Sequence, residues 1–492
     1  LASWPLVIAC TAVLVATMNL DFGVALLGLL IGRIARKRPG ASARGWGQVF
    51  GASVAGLMAA RIVSPFVVEP LGNIAGWPGM GAGILLVAGS IWAFPMLWTW
   101  RGRATLRASI ARARHHEFWP GWVFYLPLMP YLLWMGARHR GLLSATCVNP
   151  GVGKGGGLIG ESKSEILSSM HDPGILAHTL VPGGTASDAP ARARLALDAI
   201  ESDERLGGFP VVLKPDSGQR GFAVRVARSA ADVERYFGEV LGPVLVQRYH
   251  AGPHECGVLW VRGLRKPSET AARRDRTAAA STPETNTGER EGLARVGGIY
   301  AVTRKDFAFV DGDGVRTLER LILDHPRYRC QAPVFFARFA DASTFVPGPG
   351  ERIRLAEAGN HCQGTLFRDG ADLITPELEA RIDAIAASYC GPGGGEFDFG
   401  RFDLRYESEE ALRRGEGFGI LELNGITSEA TNLYDPSRGP LWAYSVLFGQ
   451  WRELYRIGAE RREAGVRPLT AREAIALARG HFRERTGSSL AD

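Results

Sequence analysis

The sequence predicts an all-α membrane domain followed by an α+β globular body, and three observations carry that prediction. Long apolar runs crowd the first hundred residues. Short extended segments punctuated by Gly-rich loops begin near Asn149. Two later segments with period-two alternation place acidic and amide side chains on shared faces. With 492 residues, 46% hydrophobic and 22% charged, the chain can bury a sizeable core and is not disordered as a whole. No repeat of solenoid or propeller length is present. Six scattered Cys without a C-x-x-C pair argue against a disulfide framework or a zinc site, and for a reducing compartment. The net charge of +7 comes mostly from Arg, since only Lys37, Lys154, Lys163, Lys214, Lys266 and Lys305 are lysines. A retained Lys is therefore more informative than an Arg. The basic residues lie beside apolar runs without interleaved aromatics, so nucleic acid is not an expected partner.

Residues 1–100 read as a transmembrane helical domain of about three spans. Trp4 to Gly32, Gly47 to Val68 and Ala75 to Trp98 each reach the roughly 20 residues that cross a bilayer core. The first run is long, lacks a basic flank and is followed by two more, which fits a cleaved signal peptide poorly. The chain starts at Leu1, which leaves an upstream piece open. Arg33, Arg36, Lys37, Arg38 and Arg44 lie in one connection and Arg101, Arg103, Arg107, Arg112 and Arg114 follow the third run, while 69–74 has no basic residue. Basic loops stay cytoplasmic, so everything after Arg101 is expected there, on a bacterial-type inner membrane. Asp21 inside the first run reads as a turn or rim residue or as a functional carboxylate, and Arg61 as a snorkelling end. Residues 101–150 read as a basic, aromatic interfacial segment and linker. Within it Phe118 to Gly136 is apolar but broken by Pro120, Pro127 and Pro130.

The globular part divides into 151–264, a surface insertion at 265–296, 297–465, and a C-terminal helix and tail at 466–492. Gly151 to Gly160 holds Lys154 but lacks the Ser or Thr of a P-loop, and reads either as flexible linkage or as a phosphate or substrate contact. Phe209 to Leu213 is a strand. Lys214 to Gly221 follows as a Gly-hinged loop suited to lie over a triphosphate. Val244 to Tyr249 is a strand entering a polar linker, where backbone groups meet a purine edge; Glu255, eight residues after Gln247, suits ribose hydroxyls. On 396–405, Arg401, Asp403 and Arg405 share a face; after a polar hairpin at 406–417, Glu422 and Asn424 share a face of 419–425. Antiparallel pairing would bring Asp403, Glu422 and Asn424 together as three oxygen ligands for Mg²⁺. The alternative is a pair of surface salt bridges with Arg401 and Arg405.

VVLKPDSGQRG (211–221), VLVQRYHAGPHE (244–255), GRFDLR (400–405) and LELNG (421–425), in that order, resemble the ATP-grasp superfamily. Within it they look like the D-alanine–D-alanine ligase-like carboxylate–amine ligases, over about Glu161 to Gly439. The resemblance implies an α+β ATP-grasp fold whose two subdomains clasp ATP. It implies that Lys214 contacts the α/β phosphates and that Ser217, Gly218 and Gly221 belong to the phosphate lid. Gln247, Arg248 and Tyr249 would form the adenine linker, where the family often has Glu first, and Glu255 the ribose carboxylate. Asp403, Glu422 and Asn424 would hold Mg²⁺, with Mn²⁺ compatible, and Arg401 would steady the anionic intermediate. Lys163 is the candidate for a second nucleotide Lys. Two departures leave the substrate open: a membrane domain stands where the ligases carry a pre-grasp domain, and Gly425-Ile426-Thr427 replaces their small-residue and Pro turn. The segment Phe118 to Leu167 also resembles the lead-in of membrane-fused ATP-grasp proteins.

The resemblance thus implies an ADP-forming ligase that joins a carboxylate to an amine through an acylphosphate. Its substrates would be small or lipid-linked and its surroundings membrane lipid, with a homodimer left open. Arg338, His361 and Gln363 are candidates for the acceptor side, His361 equally for a satisfied structural role, and Cys362 for packing. Two other readings stay open: a nucleotide-binding membrane sensor or transporter component without ligation, and an ATP-grasp kinase that stops at phosphorylation.

Overall fold

The computed structural model describes parts of 66–86 and residues 100–158, 161–217, 223–264, 297–356, 359–477 and 479. Most of the three apolar runs, with Asp21 and Arg61, lies outside the described residues, as do the 265–296 segment and Gly218 and Gly221. Among the described residues no helix is long and apolar enough to cross a membrane. The chain forms two compact units, Leu1–Arg114 with Ile322–Ala332, and His115–Leu321 with Pro333–Asp492. The first contains helix α1 (Trp100–Arg114), whose last turn carries Arg112 and Arg114, as a helix C-terminus favours. The expected linker at 101–150 is therefore divided after Arg114, and its remainder is built into the second unit.

That second unit has two larger sheets and a two-stranded one formed by β7 (Phe309–Asp311) and β8 (Arg352–Arg354). The first runs β1 (His178–Val181), β4 (Val244–Arg248), β2 (Val211–Pro215), β3 (Arg225–Ala227), all antiparallel. Helices α5 (Ala189–Ser202) and α6 (Ala230–Glu239) belong to its core, with Val211, Leu213, Val244 and Val246 buried among Ala193, Ala196, Val233 and Phe237. Helix α6 presents Val233, Tyr236 and Phe237 at helical spacing, and Ser229 caps it by accepting from Asp232 N. The second sheet runs β11 (Phe418–Asn424), β10 (Phe399–Tyr406), β5 (His254–Arg262), β6 (Gly297–Asp306), β9 (Leu366–Asp369). Strand β5 was expected with 151–264; its pairing with β10 and β6 moves it to the second sheet, because its alternating apolar residues match that sheet's two faces.

Those faces explain where the site sits. Cys256, Val258 and Trp260 point into a core with Phe402, Leu404 and helix α7 (Pro376–Ala387), through Leu378, Ile382 and Ile385. On the other face Leu259, Val261, Ala301 and Phe399 lie in a core with Leu454 and Ile457 of helix α9 (Pro440–Glu463). Beyond that apolar patch the same strands continue with Glu255, Gly257, Thr303, Lys305, Arg401 and Asp403. A Cβ on Gly257 would come within 2.9 Å of Arg401 Cδ and 3.0 Å of Asp403 Oδ1, so glycine leaves room for both side chains.

The Pro-broken segment forms helices α2 (Gly121–Tyr125) and α3 (Leu128–Arg138), tolerated because Pro120 precedes α2 and Pro130 falls in the first turn of α3. It was expected to be interfacial; one side instead joins the globular core, Phe124 and Leu128 packing with Leu433, Ala443 and Leu447. The other side leaves Trp122, Leu126, Met129, Leu133 and Trp134 exposed. The expected hairpin at 406–417 contains a short helix, α8 (Glu409–Arg413). Ser408 starts it by accepting from Ala411 N, and Glu409 is held by Arg304, whose Nε lies 2.9 Å from Oε1.

Candidate active site

Strands β10 and β11 put Asp403 directly opposite Glu422 and Arg401 opposite Asn424. Asn424 Nδ2 lies 3.4 Å from both Asp403 Oδ2 and Glu422 Oε1, so the three side chains meet. The alternative of surface salt bridges holds only in part. Arg401 does pair with Asp403, Nε to Oδ1 at 3.0 Å, but Asp403 is buried, and Arg405 instead lies over the Tyr249 ring at 5.3 Å. Past Asp403 the register shifts: Leu404 pairs with Ile420, leaving Leu421 as a bulge. The Leu421 carbonyl accepts from Lys214 Nζ at 2.8 Å and from Gln247 Nε2 at 3.2 Å. Lys214 on β2 and Gln247 on β4 thus reach from the first sheet to the strand that carries Glu422.

Lys305 was not singled out among the site residues. From β6 its Nζ lies 2.8 Å from Glu255 Oε1 and 3.1 Å from Asp403 Oδ1. Burial works against its charge, but Asp403 and Glu255 outweigh that and raise its pKa above the ordinary Lys value. Burial alone would raise Asp403; the Arg401 and Lys305 charges dominate and hold its carboxyl far below the usual carboxylate range. Lys214 has weaker compensation: burial pushes it down to about 8 against the pull of Glu422. The one available signal for Lys305 was its survival as a Lys in an Arg-rich chain.

The remaining expected residues fall as follows. Gln247 is fully buried and its Oε1 has no hydrogen-bond partner, an acceptor that a bound ligand's N–H would satisfy. Lys163 donates from Nζ to Pro215 O at 3.3 Å and Asp216 O at 3.2 Å, which sets it beside the end of the Lys214 strand. Ser217 is exposed at the end of the described stretch 161–217, and Arg248 is exposed at the end of β4. Glu255 lies on β5 rather than in the linker, in the Lys305 ion pair. Arg338 donates to the Leu355 carbonyl. His361 stacks on Tyr434 at 5.3 Å with Nε2 2.8 Å from Glu117 Oε2, the satisfied structural role. Cys362 is exposed, which corrects the expectation of packing.

The Gly-rich loop is not a flexible linkage. Asn149 Oδ1 accepts from Asp398 N at 2.7 Å and Phe399 N at 2.8 Å, and Gly156 O accepts from Ile426 N at 3.2 Å. These bonds clamp 149–157 onto the open end of the β10–β11 pair. A Cβ at Gly156 would meet the Val148 carbonyl oxygen at 2.0 Å, at a φ of +72°, so this residue must be glycine. Glu161 then accepts from Gly425 N at 3.0 Å, immediately after Asn424. Burial raises its pKa to about 7, reinforced by Glu422 and opposed by Gly425 N–H and Lys163. A raised carboxyl stabilises the fold when protonated and loses that contribution as pH rises from about 4.3 through about 7. Glu161→Gln should therefore gain stability over wild type from pH 5 to pH 8, seen as a widening Tm difference; a constant difference would refute it.

Among the described residues no cluster of three or more His, Cys, Asp or Glu side chains is arranged for a metal. Two carboxylates and an amide are a different set, and they fit Mg²⁺, which takes few protein oxygens and completes its shell with phosphate and water. Asp403, Glu422 and Asn424 lie close enough to share one ion, with Asn424 facing both carboxylates through Nδ2, so its amide would turn to present Oδ1.

No protein-family model matches the chain, and no curated protein does. Solved structures similar to it include a bifunctional glutathione synthetase from Pasteurella multocida, 14% identical with a TM-score of 0.29, covering 57% of this chain and 34% of that one. A D-cycloserine synthetase is 14% identical with a TM-score of 0.28, covering 67% and 81%. A D-Ala:D-Ser ligase from Enterococcus faecalis is 14% identical with a TM-score of 0.29, covering 64% of each. The chain thus spans about a third of the glutathione synthetase's length. Likenesses this distant decide nothing about the reaction.

Proposed function

We propose that this chain is a membrane-anchored, ATP- and Mg²⁺-dependent ligase of the ATP-grasp type, joining a carboxylate to an amine through an acylphosphate. The observation that carries the reading is the junction at Leu421: Lys214 and Gln247 of one sheet bond to the carbonyl beside Glu422 of the other. A phosphate cation, an orphaned buried acceptor and an oxygen-donor set meet there, as a nucleotide gripped between two sheets requires.

In this reading Gln247 Oε1 accepts from the adenine amino group, and Glu255 takes ribose hydroxyls while it remains paired with Lys305. Lys214 and Lys163 neutralise phosphate oxygens. Arg401, fixed by Asp403 and by its NH1 donating to Glu429 O at 3.2 Å, faces the charge that develops on the acyl centre. Asp403, Glu422 and Asn424 hold Mg²⁺, which supplies charge neutralisation on the phosphates when bound. The chain's own work is electrostatic and positional.

Membrane anchoring is supported by the three apolar runs and by the exposed Trp122, Leu126, Met129, Leu133 and Trp134, an aromatic and aliphatic face suited to a lipid interface. The full chain should stay with membranes through alkaline carbonate extraction; release to the supernatant would refute anchoring.

The reaction is tested by ADP release from detergent-solubilised protein with Mg-ATP and pooled amino acids, dipeptides or membrane lipid extract. Turnover should require one pool and fall at least ~100-fold in Glu422→Gln, in the range for losing one transition-state charge contact. Hydroxylamine added to the active pool should trap a hydroxamate. A stable phosphorylated product without a hydroxamate would instead establish a kinase, and nucleotide binding without turnover in any pool a sensor.

A further inference from the structure

We infer that the cavity behind the Gly-rich loop is the subsite for the cationic nitrogen of the amine substrate, with Glu161 as its anchor. The inference rests on the ligase reading and specifies its second substrate as a primary amine bound as the ammonium ion.

Gly151, Lys154, Gly157, Glu161, Ser162 and Tyr389 line the cavity, together with Glu165. The loop is held rigidly around it. Tyr389 OH donates to Gly151 O at 2.8 Å, Gly151 N donates to Glu396 O at 3.1 Å, and Asn149 ties the loop's start to β10. From the other side Ser162 Oγ donates to Asp216 Oδ2 at 2.7 Å, and Asp216 Oδ1 accepts from Ser164 N at 2.7 Å. The cavity wall is thus built from the segments that also place Asn424 and Lys214.

Three properties make Glu161 a cation anchor. Among the described residues it accepts one hydrogen bond, from Gly425 N, whereas an ionised carboxylate has about four acceptor sites. A carboxylate so placed gains most from a ligand that brings N–H donors and positive charge. Its position is also right, since Glu161 lines the cavity and bonds to Gly425 N, the residue that follows Asn424 at the end of β11. Finally, the wall carries two carboxylates, Glu161 and Glu165, against Lys154; Glu422 and Lys163 both act on Glu161, and Lys154 lies within electrostatic reach of Glu473, so carboxylates outnumber ammonium groups around the cavity. The balance favours a cation over an anion. A Cβ on Gly157 would meet Glu161 Oε1 at 1.7 Å and one on Gly425 would meet it at 2.3 Å, so two glycines make room for this one carboxylate.

The test compares wild type with Glu161→Gln, and with Glu161→Asp as the conservative variant, all as full-length solubilised protein. Thermal shifts are read with Mg-ADP present, adding ethylamine, ethanolamine or 1,4-diaminobutane, each against the matching neutral alcohol. Wild type should be stabilised by at least one amine and by no alcohol. Glu161→Gln should lose the amine shift, Glu161→Asp should keep part of it, and all three should keep the Mg-ADP shift. Absence of any amine-specific shift in wild type, or an equal shift in Glu161→Gln, overturns the inference. In turnover, Glu161→Gln should need at least ~10-fold more amine, about 1.4 kcal/mol, a larger change than any in its Mg²⁺ requirement. A variant whose Mg²⁺ requirement rises while its amine requirement is unchanged assigns Glu161 to the metal side and overturns the inference. If wild type forms no hydroxamate with any carboxylate, the ligase reading fails, and the amine shift still decides whether the cavity binds ammonium.

Discussion

Replacing Lys305 by Met should cost about 3–5 kcal/mol of unfolding free energy, the range for removing one partner of a buried ion pair. Lys305 stands between Glu255 and Asp403, and its removal leaves two carboxylates facing each other in a buried site with Arg401 as the remaining partner of Asp403. Adding Glu255→Gln to the same chain should recover part of the loss, because it removes one of the stranded charges. The pH dependence has a definite sign. A carboxyl held below its ordinary pKa, as Asp403 is, stabilises the fold above about pH 3.9 and loses that contribution as pH falls toward the folded value. Lys305→Met weakens the depression, so the gap between wild type and variant should hold steady from pH 7 to about pH 4 and narrow only as pH falls below about 3.9. Urea unfolding at several pH values measures both effects. A loss below about 1 kcal/mol at pH 7, the scale of an exposed pair, would show that Lys305 is not a structural cation.

Asp398→Ala should be comparably destabilising and, on the proposed ligase reading, should also abolish turnover selectively. Asp398 is fully buried and accepts from Arg461 Nε at 2.8 Å and NH2 at 2.5 Å. It also forms an ion pair with Arg262 Nε at 2.6 Å, whose N–H is not aligned on the oxygen, while Arg262 NH2 donates to Phe397 O. Truncation removes the buried carboxylate shared by two guanidinium groups and leaves them Glu396, 2.6 Å from Arg461 NH2 and 3.9 Å from Arg262 NH1, so the loss should fall near the low end of the range for a broken buried pair, about 3 kcal/mol. Asp398 Oδ2 also accepts from Asn149 N at 3.2 Å, so the Gly-rich loop loses a tether. The expected result is a variant that still binds nucleotide through Lys214 and Gln247, because neither touches this network, but turns over poorly. Fluorescent nucleotide titration beside ADP release separates the two. Equal loss of both would point to global unfolding. Asp398→Asn, which keeps an acceptor for Asn149 N, should hold the loop better than Asp398→Ala.

Much of this site was legible because its spacing is local. Period-two alternation puts Arg401 with Asp403 and Glu422 with Asn424 on common faces, and a strand–loop–strand pattern isolates Lys214. The bulge at Leu421 was not legible, since a bulge is a property of two paired strands, and it is the bulged residue's carbonyl that receives Lys214 and Gln247. Lys305 escaped for a related reason: it lies two strands away from Asp403, and only the order β10-β5-β6 brings it across the small Gly257. Helix α8 was read as a hairpin because its length is under two turns, too short for a helical period to show.

By itself the sequence determined the alternation of strands and loops, the face on which each oxygen donor lies, and the abrupt change from apolar runs to a globular pattern. These follow from side-chain period and from hydrophobicity, which act over a few residues. Tertiary structure alone decided which cations neutralise Asp403, that Glu161 comes to the end of the β10–β11 pair, and that Asn149 through Gly157 is a clamped wall rather than a tether. Charge pairing and burial act between residues far apart in the chain, so they exist only once the sheets have closed.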